Sequence, residues 1–331
     1  MARREVFVYF NPQVKDHRKD FFNFEVIQEE LKKALQDKLT PLIAVYGLRR
    51  TGKTSLIKVV LNSLGRKYVW IDSRDVASRD DFHNKLADEI DKVKRVKIDR
   101  LILKGVGLSL NFIKKGLDYL DKHKMILVID EAQLLKRLHL DNSIAYIYDN
   151  FRNIKIVISG SESGMLKNFL GKNNAKAPLY GRAVFELKTS RLDKESGFVY
   201  LKEGAKQAKM DFGDEETLTA IKELDGIIGW LTKYGWYRLK YAPKESLRRT
   251  VEEGKTLAKE EFAKFASNAE ARYKKIMKTI KGGARWEEIK SQTQISDKQL
   301  YSMLNRLMDS GFIEKSEGLY TIADPLLEAA S

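Results

Sequence analysis

Eight residues constrain this chain more than any other stretch: Gly47-Leu48-Arg49-Arg50-Thr51-Gly52-Lys53-Thr54, spaced as GxxxxGK[ST]. The glycines let the backbone bend so that successive N–H groups converge on one anion. Before the loop, Pro41 is followed by an apolar run, Leu42–Tyr46, that reads as a short buried strand. After it, Ser55–Leu64 resumes with helical periodicity. Strand, loop and helix in that order make a phosphate cradle, because the helix N-terminus adds unpaired N–H groups and its dipole. Lys53 is then expected to reach the outer phosphates of a nucleotide, and Thr54 to offer its hydroxyl to Mg2+. Gly47, Arg50, Thr51, Gly52 and Ser55 complete the loop's candidate contacts to ATP.

Such a metal needs a carboxylate at the end of a neighbouring buried strand. Met125-Ile126-Leu127-Val128-Ile129-Asp130-Glu131 supplies one, and its unbroken apolar run suits a parallel strand covered on both faces. Asp130 is the candidate Mg2+ ligand and Glu131 the candidate base for the attacking water. Another such strand, Lys155–Ser159, runs into Ser159-Gly160-Ser161. Ser159 there serves either the γ-phosphate and its water or a turn that caps the helix at 162–169.

The rest of the chain falls into three parts. Helical spacing over 25–36, 80–93, 114–123 and 142–151 alternates with strands, including Lys67–Asp72, while 100–112 permits strand or loop. This is the α/β alternation of a parallel sheet flanked by helices, and it fills residues 1–190. Residues 191–268 read as helices throughout (193–210, 214–224, 229–240, 244–266), as expected of an all-helical second domain. Residues 269–331 read as a winged-helix domain: helices at 271–280 and 286–291, a third opening at Ser296, then a hairpin turning near Glu317-Gly318. Lys298, Tyr301, Ser302, Asn305 and Arg306 would face outward from the third helix. That face suits DNA, whereas packing on the first domain or a protein partner suits the module's net charge of only +1.

Composition narrows the chemistry further. The 331 residues are 43% hydrophobic, enough for sizeable cores, and 32% charged. The absence of cysteine excludes disulfides, thiolate metal sites and a thiol nucleophile, and four scattered histidines argue against a His-rich metal site. No apolar run approaches the ~18 residues of a membrane span, so the expectation is a cytoplasmic protein without a membrane partner. The lysine-, isoleucine- and glutamate-rich, cysteine-free composition also suits a thermophile. The net charge of +15 is uneven: residues 41–130 carry +8 and 131–190 a further +4. That excess reads either as a surface for nucleic acid or anionic membrane, or as a solvated basic face beside a phosphate site.

With these residues in place, the chain resembles the archaeal ATPase family of the AAA+/STAND branch of P-loop NTPases. GLRRTGKTSL (47–56) and MILVIDEAQ (125–133) are shared by many P-loop ATPases. KIVISGSESGML (155–166), PLYGRAVFEL (178–187) and DGIIGWLTKYG (225–235), in this order, are more specific. The resemblance implies ATP hydrolysis with Mg2+ and a P-loop sheet domain followed by a helical lid and winged helix. It implies a γ-phosphate role for Arg182 of PLYGR, in cis or across a subunit interface of a homo-oligomer. It also implies that Gly226 and Ile228 of the lid segment meet the nucleotide, although Ile228 replaces the family's proline. Phe22-Asn23-Phe24-Glu25 departs from the family's Gly-Arg-Glu, which helps to hold adenine. Two functions stand on this reading: an ATPase coupling hydrolysis to conformational change, on DNA or not, and a nucleotide-dependent scaffold that hydrolyses little. A kinase for a small substrate fits less well, given the third domain.

Overall fold

The computed structural model describes residues 9–22, 24–94, 110–161, 163–172 and 174–329. The expectation for 100–112 lies outside these residues up to 109, and 110–112 open a helix. The first part runs α1 (Glu25–Gln36), β1 (Leu42–Tyr46), α2 (Lys53–Ser63), β2 (Tyr68–Asp72), α3 (Arg79–Lys94), α4 (Leu110–Lys122), β3 (Ile126–Asp130), α5 (Asp141–Asn150), β4 (Lys155–Gly160), α6 (Ser163–Phe169) and β5 (Phe185–Lys188). The five strands form one parallel sheet in the order β2-β3-β4-β1-β5.

Period-2 alternation divides the strand side chains between two cores. Ile43, Val45, Ile126 and Val128 join α1 and α2 on one face. Leu42, Ala44, Leu127 and Ile129 join α3, α4 and α5 on the other. Because β4 separates β1 from β3, the loops after β1 and β3 leave the same edge of the sheet with room between them. A crevice at this edge, where chain order reverses, is where parallel sheets hold ligands. The sequence reading missed β5, and its burial explains why: only Leu187 of its four residues is buried, so no apolar run marks it.

The helical part consists of α7 (Lys194–Gln207), α8 (Asp214–Leu224), α9 (Ile228–Arg238) and α10 (Pro243–Ala266). Its core is continuous with the α1/α2 face of the sheet through Leu192, Tyr200, Leu201, Leu231 and Tyr234. Phe10 wedges into it. A Cβ on Gly204 or Gly235 would lie 2.4 or 2.1 Å from the Phe10 ring, so both glycines are needed for that contact. Phe212 stacks on the other side of the ring at 5.6 Å.

The C-terminal part is α11 (Glu270–Ile280), β6 (Ala284–Arg285), α12 (Trp286–Thr293), α13 (Asp297–Asp309), β7 (Ile313–Ser316), β8 (Leu319–Ile322) and α14 (Pro325–Glu328). Its small sheet, β6-β8-β7, and three helices are the winged-helix arrangement. Glu317 and Gly318 both have positive φ, as a two-residue hairpin turn requires. Ser296 does stand at the N-cap of α13, but its hydroxyl makes no capping hydrogen bond. The core of this part also takes in Ala258, Phe262 and Ala266, so α10 belongs to the lid at its start and to the winged helix at its end. Arg191, in the segment after β5, ties all three parts. It meets Asp225 at 2.7 Å and Glu314 at 3.2 Å, and donates to the Ala323 carbonyl at 2.6 Å.

Candidate nucleotide site

The loop between β1 and α2 is shaped by its glycines. Gly47 lies against Thr189, where a Cβ would sit 2.3 Å from the carbonyl oxygen, and Gly52 has φ +87. Thr51 is fully buried and pins the loop through its hydroxyl, which donates to the Leu48 carbonyl at 2.8 Å and pairs with Thr189 Oγ1 at 2.7 Å. Helix α2 then starts at Lys53, so the first N–H groups of the helix have no helical acceptor and face the loop's interior.

Lys53 is 6% exposed, and its ammonium donates to the loop's own carbonyls, Leu48 O at 2.6 Å and Gly47 O at 3.2 Å. Burial pulls its pKa down to about 8, against the opposing pull of Glu131 and Asp130. A cation held this way gains by meeting phosphate oxygens in place of carbonyls. Thr54 Oγ1 donates to Asp130 Oδ2 at 2.9 Å, from the start of α2 to the end of β3. Burial pushes the Asp130 carboxyl up, with the Ser159 and Thr54 hydroxyls opposing. A hydroxyl and a buried carboxylate are hard oxygen donors that fit Mg2+, which usually takes one or two protein oxygens and completes its shell with phosphate and water. Thr54 and Asp130 would hold it.

Glu131 points elsewhere. It takes a left-handed backbone (φ 52) just past β3, which turns its side chain from the floor into the cleft. Its Oε2 accepts from Gln133 Nε2 at 2.7 Å, Ser161 Oγ at 2.9 Å and Ser161 N at 3.2 Å. Three donors on one oxygen hold the carboxylate in place at the cleft. The cleft itself has about 910 Å³ and is walled by residues from all three parts of the chain, among them Phe22, Lys53, Arg74, Glu131, Ile228 and Phe312.

The remaining expectations divide. Arg50, Gly52, Ser55 and Ile228 line the cleft, and the Gly229 N–H donates to the Arg50 carbonyl at 2.9 Å, joining lid to loop. Ser159 does not: it is fully buried, and its hydroxyl donates to Asp130 Oδ1. Its place is beside the buried Asp130 carboxylate rather than on the cleft, and Ser161 two residues on reaches the cleft. Gly226 is also turned away. A Cβ there would lie 2.0 Å from the Leu192 carbonyl, so its role is to close the lid onto the segment after β5. Arg182 lies far from the phosphate loop. It precedes β5, whose Phe185 pairs with Ile43 near the start of β1, whereas the loop follows Tyr46 at the other end. It is held by Asp149 through Nη2 at 2.6 Å and Nε at 3.0 Å, and by the Pro178 carbonyl. A cis contact to the γ-phosphate is therefore corrected.

Two groups at the site, Arg74 and Gln133, escaped the sequence reading, and a third, Ser161, stands where Ser159 was expected. Arg74 sits two residues beyond β2, paired with Asp72, and Asp72 stands in register with Asp130. Gln133 and Ser161 hold Glu131. Each follows a strand end, and only the sheet order shows that these ends converge.

Comparison with known proteins places this arrangement. The family described as an ATPase domain predominantly from Archaea matches residues 21–233, well over half of the chain. The chain belongs to that family. The C-terminal winged helix-turn-helix domain of MCM proteins matches residues 267–323. Among solved structures, a Walker-type ATPase of Pyrococcus abyssi is similar along its whole length: TM-score 0.86, 29% identity, covering 97% of this chain and 99% of that one. RuvB of Thermotoga maritima gives TM-score 0.48 at 14% identity, over 96% of this chain and 95% of that one. Aeropyrum pernix ORC1, solved with DNA, gives 0.48 at 15%, over 99% and 96%. No curated protein matches. Among the described residues, no helix is long and apolar enough to cross a membrane.

Proposed function

We propose that this archaeal ATPase binds Mg-ATP and hydrolyses it, and that the hydrolysis cycle moves its winged helix. One observation carries the reading: Lys53, Thr54 and Glu131 line one cleft, Asp130 lies beneath it on the Thr54 hydroxyl, and the same loop grips the lid through Arg50 and the C-terminal part through Arg49. Arg50 pairs with Glu261 at 2.7 Å and lies over the Trp230 ring at 4.3 Å. Arg49 donates to the Ser310 carbonyl at 3.2 Å and lies over Phe312 at 5.2 Å. In this assignment Lys53 binds the outer phosphates, Thr54 and Asp130 hold Mg2+, and Glu131 orients water. Bound Mg2+ supplies charge neutralisation of the phosphates. The residues 1–190, 191–268 and 269–331 act as catalytic, lid and reporting domains.

Turnover of ATP with and without duplex or single-stranded DNA, at low and moderate salt, tests this. Hydrolysis lost in Glu131→Gln and stimulated by DNA in a salt-sensitive manner supports a DNA-coupled ATPase. The exposed Lys298, Tyr301, Ser302 and Arg306 of α13 favour that partner. Equal turnover in wild type and Glu131→Gln defeats the catalytic reading. It would favour a nucleotide-dependent scaffold, for which the three donors on Glu131 Oε2 are the supporting observation.

For Arg182 the geometry leaves a role across a subunit interface in a homo-oligomer. Mixing Arg182→Ala with Lys53→Ala should then recover part of the activity that each lacks alone. Mixtures no more active than the sum of their parts defeat that assignment.

A further inference from the structure

The cleft holds an arginine that belongs to neither the phosphate loop nor the lid. Arg74 stands in the turn that follows β2, Ser73–Asp75, and lines the cleft. The turn is fixed at its base. Ser73 and Val76 are buried, and Arg137 Nη2 donates to the Val76 carbonyl at 3.3 Å. One carboxylate then fixes both the backbone and the side chain of Arg74. Asp72 Oδ1 accepts from the Arg74 N–H at 3.0 Å and from Nε at 2.9 Å, and Oδ2 accepts from Nη2 at 2.5 Å. This is the two-pronged pairing of a planar guanidinium with a carboxylate. It engages the Nε/Nη2 edge, and Nη1 takes no part in it. Desolvation works to raise the Asp72 carboxyl, but the Arg74 hydrogen bonds outweigh it and hold the group below its ordinary value, so the pair is ionised at neutral pH.

The geometry points to Arg74 as a ligand, within the same chain, of the terminal phosphate of ATP, acting through Nη1 while Asp72 positions it. The assignment rests on the nucleotide reading above and deepens it. Sheet order gives the direction. In β2-β3-β4-β1 the phosphate loop follows β1, Asp130 and Glu131 close β3, and Asp72 closes β2 in register with Asp130. The end of β2 is therefore one strand spacing, ~4.8 Å, beyond Asp130 on the side away from the loop. A triphosphate held by Lys53, with its Mg2+ between Thr54 and Asp130, presents its last phosphate toward β3. An arginine side chain spans the one spacing that remains. A cation there meets the last phosphate and leaves the inner ones to the loop. Asp72 above all, with the Asp130 and Glu131 carboxylates behind it, stabilises the guanidinium charge against desolvation. Arg182, toward the other end of the strands, does not fill this place within one chain. Phosphoryl transfer spreads charge over the equatorial oxygens, and a guanidinium already oriented by a carboxylate stabilises that charge without reorganising.

ATP turnover and calorimetric titration of the full chain, with Mg-ADP and with the Mg complex of the β,γ-methylene analogue of ATP, test this on wild type, Arg74→Ala, Asp72→Asn, the double variant and Lys53→Ala. Arg74→Ala should lose turnover by about a hundredfold. It should bind the analogue about tenfold more weakly, as loss of one charge-assisted contact implies, and keep its ADP affinity within about twofold. Added guanidinium at millimolar concentration should restore part of its turnover. Asp72→Asn should lose less turnover than Arg74→Ala, and the double variant should be no slower than Arg74→Ala alone, because the two residues act as one unit. Turnover and analogue affinity within about threefold of wild type in Arg74→Ala, alongside lost ADP binding in Lys53→Ala, overturn the Arg74 assignment and leave the phosphate loop standing. Equal weakening of ADP and analogue also overturns it, since ADP lacks the terminal phosphate and a uniform loss means that the cleft itself is disturbed. A double variant slowed by the product of the two single losses removes Asp72 as the positioning residue. Normal ADP affinity in Lys53→Ala sinks the nucleotide reading and the Arg74 assignment with it.

Discussion

Lys53 shows how a single side chain can be committed to a ligand by its surroundings. With its ammonium buried against carbonyls, its pKa falls to about 8. A phosphate chain stabilises the charged form, so binding requires the proton to be present. ATP affinity should be flat below about pH 8 and fall above it, approaching tenfold per pH unit. Binding constants measured from pH 7 to 9.5 check this, and a flat profile to the top of the range would show that the ammonium is not the phosphate's partner. In the protein without ligand the sign is opposite. The depressed folded pKa is a stability penalty present at neutral pH, and it is relieved as pH rises from about 8 toward the ordinary lysine range. Neighbouring carboxylates divide in the same way. Asp130 and Glu131 are adjacent in sequence, yet the left-handed turn at Glu131 sends one to the floor and the other to the cleft.

At the scale of elements, the strap formed by residues 9–22 and the lid behave as one packed unit. Phe10 is 1% exposed, and its ring is contacted by α7, α9 and Phe212. Phe10→Ala should cost about 3–5 kcal/mol in denaturant unfolding, the usual cost of emptying a buried aromatic site. A cost below about 1 kcal/mol would mean that the strap is loosely held. Most long elements were legible because their periodicity is strong: β3 is apolar at every position before Asp130, and α13 shows a clean apolar face of Leu300, Met303, Leu304 and Leu307. The elements that were missed, β5, β6 and α14, are short and owe their existence to neighbours. β6 has two residues and exists because β8 pairs with it. Local pattern carries no signal for a strand that only a partner defines.

In the whole molecule, Arg49 and Arg50 turn the phosphate loop into a joint. Glu261 faces both, at 3.7 Å from Arg49 and 2.7 Å from Arg50, while Asp324 adds 3.7 Å to Arg50. Reversing that charge with Glu261→Lys should release the winged helix in the absence of nucleotide. It should raise the radius of gyration in small-angle scattering and expose the α10–α11 junction to protease. Scattering identical to wild type would show that the joint does not hold the domain. The sequence by itself determined the phosphate loop, the strand-end carboxylate Asp130 beside it, the parallel-sheet class and the order of the three parts. Each of these is written in contiguous residues whose spacing has one physical use. Tertiary structure decided which remote groups stand at the cleft and which do not. It brought Arg74, Gln133 and Ser161 to the site, and it turned Ser159 and Gly226 inward and set Arg182 at the opposite edge. Such placements depend on strand order and register, which bring together residues that are far apart in the chain and leave no mark on its local pattern.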